Sequence, residues 1–310
     1  MLWKSYLIPF YFFMCVNYVF PVPDHYTYDL AVCAIFQNEG RFLREWIEFH
    51  KLVGVQHFYL YNNNSTDNYL AILQPYIDKG EIELFDWDYS NSCLNAQILA
   101  YNDALVRTKD KVRWVAFLDL DEYLYPVNEY SLIEFLKNYD DCGELSVNWL
   151  MFGTSGVDKI PDNGLMLEYL TKCNPKGDKH IKSIVRPERV SNFTNHNPHF
   201  APCIQGFSQI NPDKKIFSGP YSPYISLDKI RINHYWARDK DWLIHTKIPR
   251  ATKVRTSFVM GGISTKFIRR RKTLKMSADE WVFAINDSIN VSDDTCILKY
   301  IPELRTALCS

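Results

Sequence analysis

From Asp24 to Asp121 the chain alternates short apolar runs with amphipathic stretches. Leu30 to Phe36 is apolar at every position, the pattern of a strand buried on both faces. Asn38-Glu39-Gly40 interrupts it. Between Arg41 and Leu52, Phe42, Trp46 and Phe49 recur at helical spacing, continue to Val53, and stop at Gly54. A second strand is predicted over His57–Tyr61, followed by the polar loop Asn62–Asp67 and a helix over Asn68–Asp78. Glu81–Phe85 reads as a third strand, roughly Asn95–Arg107 as a helix, and Trp114–Leu118 as a fourth strand running directly into Asp119. Strands separated by helices of this length build a parallel sheet.

In such a sheet ligands bind beyond the carboxyl ends of the strands. The pattern therefore gathers Asn38-Glu39, Asn62–Asp67, Asp86–Asp88 and Asp119–Glu122 on one rim, and all four loops are polar or acidic. After Tyr123 the alternation fades. Ser131–Tyr139 reads as helical, and Leu145–Phe152, Ile181–Arg186 and Lys229–Tyr235 as strands. An amphipathic stretch runs from Ala278 to Ile285. No linker separates the halves, so residues 24–260 are expected to form one domain. Residues 24–125 would bind nucleotide and residues 126–260 would build the acceptor side. Residues 261–310 would form a basic helical extension containing Arg269-Arg270-Arg271-Lys272.

Composition adds little against this. Of 310 residues, 47% are hydrophobic and 23% charged, as in ordinary globular domains. A net charge of −1 gives no reason to expect a nucleic-acid partner. The eight cysteines include no CxxC pair, so no zinc-type spacing is present. The one unusual segment is residues 1–23. Its apolar, aromatic run after Lys4 lacks small residues before Pro21, which favours a membrane anchor over a cleaved signal and predicts association with a membrane surface. Asn-x-Ser/Thr triplets begin at Asn63, Asn64, Asn192, Asn286 and Asn290.

The chemistry concentrates at Asp119-Leu120-Asp121. Two carboxylates two residues apart, just past a buried strand, can share one hard cation, and magnesium or manganese keeps open positions for phosphate oxygens. Glu122 adds a third carboxylate, either supporting the first two or solvated beside them.

These residues carry a resemblance. Ile35-Phe36-Gln37-Asn38-Glu39, Glu45-Trp46-Ile47-Glu48-Phe49-His50, Leu52 to Asn63, and Trp114 to Leu124 resemble glycosyltransferase family 92. So do Trp149 to Gly156, Lys182 to Pro187 and Ile232 to Tyr235; the resemblance runs from about Leu30 to Arg250 and leaves the last 60 residues outside it. It implies an α/β fold, a single GT-A type Rossmann-like domain with a mostly parallel central sheet. It also implies metal-dependent, inverting transfer of a hexose, galactose being expected, from a UDP-sugar donor to a glycan or other hydroxyl acceptor.

Within that frame His234, at the end of an apolar strand, is the expected third ligand to Mn2+ or Mg2+ beside Asp119 and Asp121. His180, His196 and His199 are rivals. Asn38, Glu39 and Asp67 are candidates for the nucleotide base or ribose. Gln97 or Asn102 would face the diphosphate from their helix, and Lys182 and Arg186 would clamp it, with Lys247 and Arg250 as alternatives. A general base is needed for inversion, and Asp158 and Asp241, with Asp239, are the carboxylates considered. Trp149–Asp158 would wall the acceptor, with Gly153 and Gly156 allowing close approach. A sugar nucleotidyltransferase would carry a glycine-rich basic loop after the first strand, whereas Gln37–Arg41 has one glycine. A non-catalytic carbohydrate-binding protein keeping the fold is the other alternative.

Overall fold

The computed structural model describes residues 25–89, 93–194, 197–249 and 278–309. The expected membrane segment, His196, Arg250 and the basic run 269–272 lie outside the described residues. Twelve strands are present in these: β1 Tyr28–Phe36, β2 His57–Asn62, β3 Ile82–Asp86, β4 Val112–Phe117, β5 Glu122–Pro126, β6 Glu144–Met151, β7 Lys172–Cys173, β8 Ile181–Val185, β9 Gln209–Ile210, β10 Ile216–Phe217, β11 Ile230–His234 and β12 Ser292–Asp293. The helices used below are α1 Gly40–Leu52, α2 Tyr69–Asp78, α3 Cys93–Thr108, α4 Leu132–Leu136, α5 Met166–Tyr169, α6 Lys240–Trp242, α7 Ala278–Ile289 and α8 Ile301–Cys309.

The main sheet runs β10-β9-β6-β8-β4-β1-β2-β3, with β11 joining β6 and β5. β4, β1, β2 and β3 are parallel neighbours. Alternation along β1 sorts its side chains onto two faces. Leu30, Val32, Ala34 and Phe36 pack with Phe42, Trp46 and Phe49 of α1. Ala31 and Cys33 pack with Ala100, Tyr101 and Ala104 of α3. Helices thus cover both faces, which is why β1 reads as apolar throughout. Beyond β4 the sheet becomes mixed: β8 is antiparallel to both β4 and β6, and β11 is parallel to β6 but antiparallel to β5.

The predicted strands and helices are all present, with Ser131–Tyr139 resolved into α4 and a short 3-10 turn. β5 is the notable addition. It follows Asp121 without a break and pairs with β11. Trp46 holds it there, its indole N–H donating to Glu122 O at 2.8 Å. His50 accepts from Leu124 N on one ring nitrogen and sits 2.8 Å from Trp46 O on the other. Burial pushes His50 down to about 3, so the ring stays neutral and can serve both partners. Glu45, on the same helix, accepts from Met166 N and Leu167 N at the start of α5. The Glu-Trp-Ile-Glu-Phe-His stretch therefore builds the frame behind the acidic turn.

The chain past β11 returns to this frame. Tyr300 and Leu304 are buried in the main core, β12 pairs with β7, and Arg305 pairs with Glu168. Among the described residues no helix is long and apolar enough to cross a membrane.

Candidate active site

Parallel strands place the loops after β1, β2, β3 and β4 on one rim, as the alternation predicts. Side chains stitch these loops together. Thr66 N donates to Asn38 Oδ1 at 2.7 Å, Asn38 N to Ser65 Oγ at 2.9 Å, and Asn64 Nδ2 to Asp88 Oδ1 at 2.7 Å. Asp67 accepts from Gly40 N at 2.7 Å, supplying the first turn of α1 with an acceptor. A Cβ at Gly40 would stand 2.7 Å from Asn68 Oδ1 and 2.9 Å from Asp67 Oδ2, so a larger residue there would push these two side chains aside. Asn38, Arg41, Asp67, Asn68, Trp242 and His245 line a cleft of about 480 Å3, a size usual for small-molecule sites, roughly 300–1,000 Å3.

The acidic turn after β4 is closed by two bonds across itself. Glu122 N donates to Asp119 O at 3.1 Å, and Asp119 N donates to Glu122 Oε2 at 2.8 Å. Glu122 is fully buried. Burial pushes its carboxyl well above the usual range; Lys182 opposes this, while Asp119 and Asp121 add to it. Lys182 of β8 reaches Asp119 Oδ2 at 2.9 Å and Glu122 Oε2 at 3.3 Å with a side chain 1% exposed. Burial alone would lower its pKa, but the two carboxylates hold it well above the ordinary lysine value. Gln97 donates to Asp119 Oδ1 at 2.7 Å from α3. Burial likewise favours a neutral Asp119, but Lys182 prevails and lowers its pKa.

Asp121 faces the other way. The antiparallel register pairs His234 with Glu122, and Tyr235 N donates to Asp121 O at 2.8 Å. This brings His234 Nε2 to 3.4 Å from Asp121 Oδ1, while Nδ1 faces Glu122 Oε1 at 3.9 Å. Lys247 meets Asp121 Oδ2 at 2.7 Å. Burial would raise the Asp121 pKa, but Lys247 and His234 hold it well below the normal range.

The donor set suits a divalent cation: two carboxylates and an imidazole. Two adjacent ligands with bonds of about 2.1 Å at right angles stand about 3 Å apart, close to the separation of Asp121 Oδ1 and His234 Nε2, so this edge fits an ion. Glu122 Oε1 stands behind the imidazole at 3.9 Å, outside hydrogen-bond distance of Nδ1. The third expected ligand is held differently, since the Asp119 carboxylate is turned to Lys182 and Gln97. Among the described residues no three His, Cys, Asp or Glu side chains gather as a ready cation-holding cluster.

Other expectations are corrected. Glu39 does not face a nucleotide, because its carboxylate is buried against Arg238. Arg186 does not join Lys182 at the acidic turn. β8 runs antiparallel to β4, so four residues, about 13 Å of strand, carry Arg186 to the opposite rim. There it pairs with Glu188 at 3.0 Å and takes Tyr26 OH at 2.9 Å. Asp158 has a side chain 89% exposed and pairs with Lys240, so it lacks the enclosed setting of a base. Asp241, also solvent-facing, pairs with His245 at 3.1 Å. Asp239 is fully buried as the cap of α6, accepting from Trp242 N, and also accepts from Ile160 N. Gly153 does not open an acceptor wall: a Cβ there would lie 2.3 Å from Asn290 Oδ1, and Asn286 Oδ1 accepts from Thr154 N. Asn286 is buried in that contact, so its triplet is not a surface acceptor.

Arg238 was not singled out by pattern. It is buried in the left-handed region at φ 52°, set against the edge-to-face pair of Phe42 at 4.0 Å and Trp242 at 4.6 Å. Its guanidinium binds Glu39 and donates to Leu120 O at 3.2 Å, tying the loop after β1 to the acidic turn. The only sequence signal is a charged pair inside the aromatic run Tyr235-Trp236-Ala237-Arg238-Asp239.

A parallel β3-β2-β1-β4 unit with an acidic turn at the end of β4, completed by a mixed half that returns a histidine to that turn, defines a Rossmann-like α/β domain of the GT-A type. The motifs of that half and the frame behind the turn are those of a recognised family. The chain belongs to glycosyltransferase family 92, whose model matches residues 28–215. A glycosyltransferase family 92 protein of Ricinus communis is 30% identical over 194 residues, covering 61% of this chain and 34% of the relative. Galactan beta-1,4-galactosyltransferase GALS3 of Arabidopsis thaliana is 32% identical over 129 residues, 36% of this chain and 25% of that protein. Beta-1,4-galactosyltransferase galt-1 of Caenorhabditis elegans is 28% identical over 115 residues, covering 34% and 27%. The chain thus spans about a third of the length of the relatives it matches.

Proposed function

We propose that this domain is a metal-dependent, inverting glycosyltransferase that moves a hexose, galactose first among them, from a UDP-sugar to a hydroxyl of a glycan acceptor. The observation that carries the reading is the acidic turn at the β4 end with His234 brought to Asp121, beside a cleft lined by Asn38 and Asp67. The names of GALS3 and galt-1 support galactose. In this reading the nucleoside lies in the cleft, and the diphosphate reaches across to the acidic turn, where Lys247 stands ready to meet phosphate oxygens. Asp121 and His234, with Asp119, would hold Mn2+ or Mg2+, which supplies positive charge opposite the departing diphosphate. Lys182, Gln97 and Glu122 keep the turn in shape, and Arg238 fixes it to the loop after β1. Residues 1–23 would anchor the domain at a membrane surface.

The test is UDP release from UDP-galactose with and without manganese. Release that requires the ion and falls by about 100-fold or more in Asp121→Asn is expected. A wild-type protein that releases no UDP from any nucleotide-sugar, with or without metal, overturns the reading.

A further inference from the structure

We infer that His180, oriented by Asp178, is the general base that takes the proton from the acceptor hydroxyl. The inference rests on the proposed inverting transfer. Ala116 of β4 faces Ile184 of β8. Antiparallel pairing sends the start of β8, with Lys182 and His180 two residues apart and so on one face, to the rim where β4 enters the acidic turn. The contacts of Lys182 with Asp119 and Glu122 show that this is the face of the acidic turn. In sheet order the cleft lies at β1 and β2, the acidic turn at β4, and His180 at β8, so the three stand in the sequence nucleoside, diphosphate, acceptor.

His180 is held as a base should be. Asp178 Oδ1 accepts from His180 N at 2.8 Å and stands 2.6 Å from ring Nδ1. With Nδ1–H donating to that carboxylate, Nε2 carries the lone pair. The ring stacks on Trp149, centroids 5.0 Å apart at 16°, and meets the edge of Tyr221 at 4.8 Å. The backbone is bridged to Tyr221 as well. Trp149 in turn touches His234 at 4.6 Å, so one indole separates this dyad from the histidine of the acidic turn. The side chain is 31% exposed, and Nε2 has no hydrogen-bond partner among the described residues, which leaves it open to an incoming hydroxyl. Rival groups are worse placed. His199 is pushed down to about 3 by burial and by Lys182, too low for a base near neutrality. Glu122 is enclosed behind Lys182, while Asp158 pairs with Lys240 and Asp241 with His245 at the surface.

The step balances. The acceptor O–H proton passes to His180 Nε2 as the oxygen bonds to the anomeric carbon. The bond from that carbon to the diphosphate oxygen breaks, and its electron pair leaves with UDP. The imidazolium that forms is paired with Asp178.

The experiment uses UDP-galactose and manganese with water as acceptor, then with sodium azide, a nucleophile that has no proton to lose. In His180→Ala, UDP release to water should fall about 100-fold or more, while UDP-galactose binding by calorimetry stays within about twofold of wild type. Azide should restore release in the variant far more than it stimulates the wild type. His180→Gln and Asp178→Asn guard against a folding defect, and Asp178→Asn should lose about tenfold or more with binding intact. Retention of release within about threefold of wild type in both His180 variants overturns the assignment. So does azide that rescues neither variant, or a loss of donor binding in both. Failure of the wild type itself to release UDP is read before any variant and counts against the transferase reading instead.

Discussion

Replacing Arg238 with methionine tests whether the acidic turn is held from outside. Arg238 is 1% exposed and its partner Glu39 has a side chain 11% exposed, so the variant takes a buried cation away from a largely enclosed carboxylate. Removing one partner of a buried pair costs about 3–5 kcal/mol. Leu120 O also loses its donor, a further 1–3 kcal/mol or so if water cannot replace it. Methionine refills much of the space beside Phe42 and Trp242 but not the interaction of a cation with two rings, roughly 1 kcal/mol. These terms overlap, and a loss of about 4 kcal/mol is expected, a large part of the 5–15 kcal/mol typical of a domain. Arg238→Lys keeps a charge on Glu39 but not the planar fork, and should lose about half as much. The decisive variant is Arg238→Met with Glu39→Gln. It removes both charges, and should recover at least about 2 kcal/mol of the single-variant loss. Urea unfolding followed by tryptophan fluorescence measures all four proteins. UDP release should fall in every variant that frees Leu120, because that residue lies between Asp119 and Asp121. A single variant within about 1 kcal/mol of wild type, or a double variant no better than Arg238→Met, would refute the latch.

Two further outcomes follow from buried groups. Burial pushes Glu45 and Glu144 up from an ordinary 4.5 to about 7. Their folded values lie above their unfolded ones, so their contribution to stability is full below about pH 4.5 and is lost as pH rises through 7. Glu144→Gln should therefore show a deficit that shrinks by on the order of 2 kcal/mol between pH 5 and pH 8; a pH-independent deficit in urea unfolding would count against a raised carboxyl. Gly153→Ala places a Cβ 2.3 Å from Asn290 Oδ1 and should cost about 1–3 kcal/mol by displacing α7 from the end of β6. An unchanged melting temperature in that variant would mean that α7 does not seat there.

The first half was legible because β1, β2 and β4 are almost wholly buried, only the edge strand β3 being partly exposed, and each connection is short, so apolar runs and helical spacing point to the same element. The acidic turn was legible for the same reason: Asp119 follows an apolar strand directly, and a buried strand end leaves its next residues at the rim. The second half was obscured by its chemistry. β5 begins with buried Glu122 and β11 ends in buried Asn233 and His234, so polarity no longer marks the surface. The two cations at β8 show where one-dimensional reading stops. Lys182 and Arg186 do share a strand face, but only the antiparallel pairing of β8 with β4 decides which of them meets Asp119. Glu39 could not be told from a nucleotide ligand without Arg238, which lies 199 positions away. Spacing along the chain identifies groups that share an element; it does not identify groups that share a counter-ion. In this site the counter-ions decide the roles. Lys182 and Gln97 turn the Asp119 carboxylate inward, Lys247 and His234 hold that of Asp121, and Asp178 holds ring Nδ1 of His180. That division makes a sharp demand on experiment. Asp119→Asn should disturb the turn and the activity together, whereas Asp121→Asn should remove activity while the bonds that close the turn between Asp119 and Glu122 stay in place.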